Sequence, residues 1–225
     1  MTTLVLAAHP DDEVLGCGGT MARMAQEKED VYLAILGEGI TSRHDRRDSR
    51  DPALEKLRDC TRRSAQILGV KDVFRYEFPD NRFDTVALLE IVKAIEEVIR
   101  KVDATVVYTQ HGGDLNVDHS LLFKATLTAT RPVPGGRIRA VYAYEVASSS
   151  EWAFQKFSPP FHPSLFVDIS GTLETKMRAV AEYESEMRPF PHPRSLEGLR
   201  ASATRWGVAA GVTAAEAFEI VREIR

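Results

Sequence analysis

Short apolar runs rich in β-branched residues alternate along this chain with longer amphipathic stretches, and no other feature narrows its fold as far. The runs at 3–8, 31–36, 73–76, 105–109, 138–144 and 165–167 each read as a strand. The clearest helix is expected at 85–101, where Leu88, Leu89, Val92, Ile95 and Ile99 recur at helical spacing and Glu and Lys fill the other face. A second is expected at 52–68, opening on Pro52, which a first helical turn tolerates, and closing before Gly69, which suits a helix C-terminus. Two more are expected at 171–187 and 214–224, separated by Arg188-Pro189-Phe190-Pro191-His192-Pro193-Arg194, whose prolines forbid a regular helix. Strand alternating with helix means βαβ units, so the expected class is α/β with a mostly parallel sheet. The length of 225 residues suits one domain spanning 1–225.

Composition excludes several classes of function. With 44% hydrophobic and 28% charged residues the chain reads as globular, and a net charge of −4 offers no basic stripe for nucleic acid. Two cysteines, Cys17 and Cys60, cannot make a disulfide framework or a thiolate metal cluster, and they fit a reduced cytoplasm. No run approaches the roughly 20 apolar residues of a membrane span, and the first strand leaves no room for a leader, so a cytoplasmic protein is expected. A homo-oligomer is compatible with all of this.

Chemistry enters where the first strand ends. Leu4-Val5-Leu6-Ala7-Ala8 runs directly into His9-Pro10-Asp11-Asp12-Glu13, placing ligand-type side chains at the end of a buried parallel strand, where open α/β sheets form their sites. His9 and Asp12, three apart on a tight turn, can reach one ion from the same side. A third ligand is required, and His119 is the best candidate. It closes the polar run that follows the fourth strand, His111-Gly112-Gly113-Asp114-Leu115-Asn116-Val117-Asp118-His119. His9, Asp12 and His119 make a two-His, one-carboxylate set that suits one catalytic zinc with an open position. The same set also suits ferrous iron. Packed against a strand end, a His with three neighbouring acids is costly as mere structure. His44 and His162 read as structural. Gly16, Gly18 and Gly19 read as a turn with close helix packing, because neither GxGxxG nor a Walker lysine is present.

These residues resemble the LmbE-like or PIG-L family of N-acetylglucosaminyl de-N-acetylases. Ala8-His9-Pro10-Asp11-Asp12-Glu13 with Gly16, Gly18 and Gly19 looks like that family's first motif, and Asp118-His119 like the end of its second. Weaker echoes are Phe78-Pro79-Asp80-Asn81, Tyr144-Glu145 before Trp152, and Glu216-Ala217-Phe218. The resemblance implies a Rossmann-like three-layer sandwich, one Zn2+ per chain on His9, Asp12 and His119, and Asp11 as general base. It also implies hydrolysis of an acetamide on a small-molecule N-acylated amino sugar or its conjugate. Zinc acidifies a water and polarises an amide carbonyl, and Asp11 beside ligand Asp12 is placed to take the water proton.

The chain departs from the family at one position. Members with a HxDH motif use its first His near the oxyanion, whereas Asn116 stands there in this sequence and can donate only a neutral hydrogen bond. His192 is the candidate compensating donor. Asp118 is expected to orient His119 or His192, or to cap the helix that begins at His119. Arg43, with Arg46 and Arg47, lies in a polar loop at 37–50, and Arg194 flanks His192; their guanidinium forks suit an anionic substrate group. Trp152, in a second polar loop at 148–160, can stack on a sugar ring, and Asn81 can bind a sugar hydroxyl, a turn being its alternative. Two other functions share the same ligand set: a deacylase or hydratase acting on a non-sugar substrate in secondary metabolism, and a non-catalytic metal- or ligand-binding module.

Overall fold

The computed structural model describes residues 1–40 and 52–225. Seven strands, β1 (Thr2–Ala7), β2 (Asp30–Gly37), β3 (Asp72–Phe78), β4 (Val106–Gln110), β5 (Ala140–Tyr144), β6 (Leu165–Asp168) and β7 (Ala215–Glu223), form one sheet in the order β3-β2-β1-β4-β5-β7-β6. The first five pair in parallel, and β7 runs antiparallel between β5 and β6. Helices α1 (Asp12–Gln26), α2 (Pro52–Leu68) and α6 (Leu173–Ala181) pack together on one face. On the other lie α3 (Leu88–Val102) and α4 (Val117–Ala129), and α7 (Leu196–Ala210) packs against β6 and β7. The expected three-layer α/β sandwich is present. No helix among the described residues is long and apolar enough to cross a membrane.

The continuous apolar run of β1 follows from burial on both faces. Val5 and Ala7 join the core beneath α1, with Leu33, Ile35 and Met21, while Leu4, Leu6 and Ala8 join the core beneath α3 and α4, with Leu36, Ile91 and Val107. The chain steps outward from β1 through β2 to β3 on one side and resumes at β4 on the other. The sheet therefore switches direction between β1 and β4, and the crevice beyond their C-terminal ends is the place such a fold offers a ligand.

Close packing explains the glycines of α1. A Cβ on Gly16 would lie 2.2 Å from the Tyr144 ring, and one on Gly19 would lie 2.8 Å from Ile169. Tyr144 in turn donates its hydroxyl to the carbonyl of Leu6 at 2.7 Å, tying β5 to β1 through the helix seat.

Helix α2 matches its expected bounds, and α3 differs from them by a few residues at its start. Four elements differ further from expectation. The segment expected as a helix at 214–224 is strand β7, whose non-local pairing on both edges overrides the helical preference of Ala215, Glu216 and Ala217. Helix α7 lies where the sequence pattern predicts none, although Ser195 caps it by accepting from the N–H of Gly198 and Gly211 closes it at φ 74°. Helix α6 stops at Ala181 rather than 187, and the polar loop at 148–160 contains a short helix, α5 (Ser149–Trp152).

Candidate metal centre

The turn after β1 is built around one carboxylate. Asp12 Oδ2 accepts the backbone N–H of His9 at 2.8 Å and the side-chain amide of Gln110, the last residue of β4, also at 2.8 Å. His119, in the first turn of α4, comes in from across the β1–β4 crevice. His9 Nδ1 and His119 Nε2 each stand 3.3 Å from Asp12 Oδ2. A ligand atom from each of His9, Asp12 and His119 lies within 4.8 Å of the others. Asp12 Oδ1 and both ring nitrogens of His119 are buried, and among the described residues none of the three makes a hydrogen bond of proper geometry, close as the ring stands to its acidic neighbours. Buried polar atoms are ordinarily satisfied, so these mark a place made for something else. Two imidazoles and a carboxylate are the donor set of zinc or ferrous iron, and the residues present fit such an ion.

A second ring of carboxylates surrounds the first. His9 Nε2 is 2.9 Å from Asp118 Oδ2 and 3.3 Å from Asp80 Oδ1, and His119 Nδ1 is 3.1 Å from Asp114 Oδ2. These outer carboxylates are themselves held: Asp118 Oδ1 accepts from Phe83 N–H at 2.9 Å and Asp114 Oδ2 from the Ser150 hydroxyl at 3.1 Å. Asp118 therefore orients His9, not His119 or His192 as expected, and Asp114 faces His119. Nor does Asp118 cap the helix; Asn116 does, accepting from the N–H of Asp118 at 2.9 Å. The trio His9, Asp80 and Asp118 is also close enough to share an ion. Its Asp118 oxygens, however, are already engaged by His9 and Phe83, and its members contribute none of the orphaned atoms.

The protonation states follow from this crowding. Burial opposes charge on His9, but hydrogen bonds to Asp118 and Asp12 outweigh it and lift the ring to about 10. Burial likewise opposes charge on His119, and Asp12 and Asp114 lift it to about 9. Asp12 is driven well below the usual carboxylate range, the two imidazoles overcoming its burial. The protein thus holds positive charge between these carboxylates, which is where a bound cation would supply it.

Asp11 sits apart from that cluster in a left-handed conformation, φ 107°, that an L-residue rarely adopts. Its N–H donates to Glu13 Oε2 at 3.0 Å, and Glu13 Oε1 accepts the Tyr183 hydroxyl at 2.6 Å. Its carboxylate receives Arg194 Nη1 at 2.7 Å. Burial pushes the Asp11 carboxyl well above its ordinary value, with Arg194 pulling the other way. Arg194 is itself held, with Nε donating to Ser148 Oγ at 3.1 Å and to the Ala147 carbonyl at 3.3 Å.

Of the residues expected to serve substrate or catalysis, Asp11, Asn81, Asn116 and Arg194 line one cleft together with the expected ligand His9 and with Glu186. Arg194 meets Asp11 rather than standing open to a ligand. Asn116 spends its carbonyl on the helix cap and donates its amide to Asn81 Oδ1 at 2.9 Å. His192 stands one layer out: its Nδ1 accepts the N–H of Arg194 at 3.0 Å, and its ring meets Trp152 edge-on with centroids 5.0 Å apart. Among the described residues His192 makes no hydrogen bond or ion pair with Asn116 or with the metal-binding set. Trp152 is 44% exposed. Arg43, with His44, Arg46 and Arg47, lies outside the described residues. His162 is exposed, as expected for a surface residue.

Sequence reasoning passed over Gln110, Asp114 and Glu186. Asp114 carried a signal, because it lies inside the polar run that ends in His119. Gln110 carried a weaker one, as a polar residue closing an otherwise buried strand.

Residues 4–130 match the family described as GlcNAc-PI de-N-acetylase, PIG-L. A protein of Escherichia coli K12 named uncharacterized deacetylase YaiS is 28% identical over 196 residues, covering 81% of this chain and 90% of that one. Diacetylchitobiose deacetylase of Thermococcus kodakarensis is 28% identical over 232 residues, covering 97% of this chain and 82% of that one. Among solved structures, the conserved protein TT1542 from Thermus thermophilus superimposes with a TM-score of 0.78 at 25% identity, covering 100% of this chain and 96% of that one.

Proposed function

The chain belongs to the PIG-L family of GlcNAc-PI de-N-acetylases, and from that premise we propose that it removes the N-acetyl group of a small amino sugar or sugar conjugate with one zinc ion. The observation that carries the proposal is the set of buried atoms without hydrogen bonds, Asp12 Oδ1 and the His119 ring nitrogens, facing His9 at the sheet's switch point. His9, Asp12 and His119 would hold the ion. When bound, zinc supplies Lewis acidity, acidifying a water and polarising the acyl oxygen.

The remaining work falls to the protein's own side chains. Asp11, in the same cleft and one residue from Asp12, takes a proton from the attacking water and returns it to the leaving amine. Burial shifts its carboxyl upward from the ordinary carboxylate value, against the pull of Arg194, and a carboxyl so shifted is better suited to give the proton back. Arg194 favours the charged form of that carboxylate and holds its orientation through a 2.7 Å contact. Asp118 and Asp114 fix the two imidazoles in the orientation ligation requires. Asn116 and Asn81, hydrogen-bonded to each other at the cleft wall, present amide groups to sugar hydroxyls or to the developing oxyanion. Trp152 and His192 form an outer wall against which a sugar ring can stack.

The test is amine release from a panel of N-acetylglucosamine conjugates by metal-stripped protein, before and after zinc is returned, with Asp11→Asn alongside. The proposal expects release that zinc restores and Asp11→Asn loses. Release that survives stripping, or that Asp11→Asn retains, would overturn it.

A further inference from the structure

A large cavity lies at the opposite end of the sheet from the metal centre. It occupies about 500 Å³ beneath the C-terminal half of α1, against the N-terminal ends of β4 and β5 and against β6. Six residues of β1 separate the two places, about 20 Å at the rise of a strand. A volume of this size falls in the range of small-molecule sites, roughly 300–1,000 Å³.

The lining has a specific chemistry. Tyr108 and Tyr142 pack with ring centroids 5.1 Å apart, and Val106, Leu165, Val167 and Met24 complete an apolar wall around them. Tyr108 is only 3% exposed and lines the cavity. The Thr20 hydroxyl, on the same wall, is buried without a partner among the described residues, where a buried polar atom is ordinarily satisfied. At the rim, Arg139 precedes β5 and makes no ion pair among the described residues, whereas the neighbouring Arg23 is committed to Glu27 and to the Asp168 carbonyl. Of the rim acids, Glu27 is paired with Arg23, Glu29 precedes β2, and Glu223, opposite Ala140, is paired with Arg225 and accepts the Tyr142 hydroxyl at 3.4 Å.

We infer that this cavity is a second ligand site, distinct from the metal centre, which takes a small aromatic carboxylate. The ring lies against Tyr108 and Tyr142, a polar substituent meets the Tyr108 hydroxyl, and the carboxylate reaches the Arg139 guanidinium. Nothing in the deacetylation chemistry uses these residues, so occupancy can be read separately from turnover.

The probe is 3-(4-hydroxyphenyl)propanoate, with neutral 3-(4-hydroxyphenyl)propan-1-ol as its uncharged counterpart, titrated calorimetrically into the zinc-loaded protein. Wild type is expected to bind the carboxylate with sub-millimolar affinity and the alcohol about tenfold more weakly. Arg139→Glu, on an exposed side chain, should weaken the carboxylate about tenfold or more and leave deacetylase turnover unchanged. Tyr108→Phe should weaken both probes several-fold, and His119→Ala should weaken neither. Three results would overturn the inference: no binding at millimolar probe; binding that Arg139→Glu and Tyr108→Phe leave intact but His119→Ala removes; or a self-association in sedimentation that Arg139→Glu disrupts, which would make the cavity a seat for a second copy. If deacetylation fails but the probe results hold, the second site stands without the proposed activity.

Discussion

Lys176 and Glu216 form an ion pair in the interior beneath α1, Nζ to Oε1 at 2.6 Å, with side chains 6% and 4% exposed. Lys176 Nζ also donates to the carbonyl of Leu15 at 2.7 Å, and the Glu216 carboxylate accepts the N–H groups of Gly19 at 2.9 Å and Thr20 at 2.7 Å. The pair thus ties the middle of α1 to α6 and β7, and the first residue of α1 is Asp12. Glu216→Ala would leave a buried ammonium without its counter-charge and two helix amides without their side-chain acceptor. Removing one partner of a buried pair costs about 3–5 kcal/mol, and the stranded amides place the expected loss toward the upper end. Urea unfolding followed by circular dichroism, with midpoint and slope fitted together, measures it. Lys176→Met combined with Glu216→Leu strands no charge and should recover part of the loss, leaving about 1–3 kcal/mol for the amides. A single-variant loss below about 1 kcal/mol, or a double variant no better than the single, would mean that the pair does not tie these elements together.

Burial raises the Glu13 carboxyl from 4.5 to about 7. A raised folded-state value means stabilisation present below about 4.5 and lost as pH climbs to about 7, about 3 kcal/mol across that window. Glu13→Gln should flatten this part of the stability–pH curve, and parallel curves for variant and wild type would contradict the assignment. Arg194→Ala removes the cation that lowers the Asp11 pKa, so kcat/KM should fall about a hundredfold or more and the acid limb of its pH profile should move to higher pH. An unmoved limb would detach Arg194 from Asp11. Asn116→Ala removes the α4 cap and should cost about 1 kcal/mol in thermal or urea unfolding, with no loss arguing against the cap.

The parts of the site that lie close together along the chain are legible in its residues alone. His9, Asp11 and Asp12 share one turn, and the apolar run ahead of them sets that turn at a strand end. The meeting of that turn with His119 is legible as well, because β1 and β4 flank the switch point of a parallel sheet and their C-terminal loops must converge there. Pairing of carboxylate with imidazole is not. Asp118 and Asp114 both lie near His119 in sequence, but the helical turn carries Asp118 across to His9 and leaves Asp114 to face His119. Arg194 reaches Asp11 from 183 residues away, and no local pattern announces such a contact. Strand β7 hides behind helix-forming residues whose conformation is decided by β5 and β6. Helix α7 hides behind Gly198 and Gly207, which weaken a helical pattern. Gly207 has a packing reason instead: a Cβ there would lie 2.7 Å from the Val212 carbonyl.

Whether His9, Asp12 and His119 hold one zinc ion can be read from an anomalous difference map of zinc-soaked crystals, recorded on either side of the zinc edge. A single strong peak per chain is expected between His9 Nδ1, Asp12 and His119 Nε2, absent in crystals of Asp12→Ala. A peak among His9, Asp80 and Asp118 instead, or none within reach of His119, would rule out this ligand set.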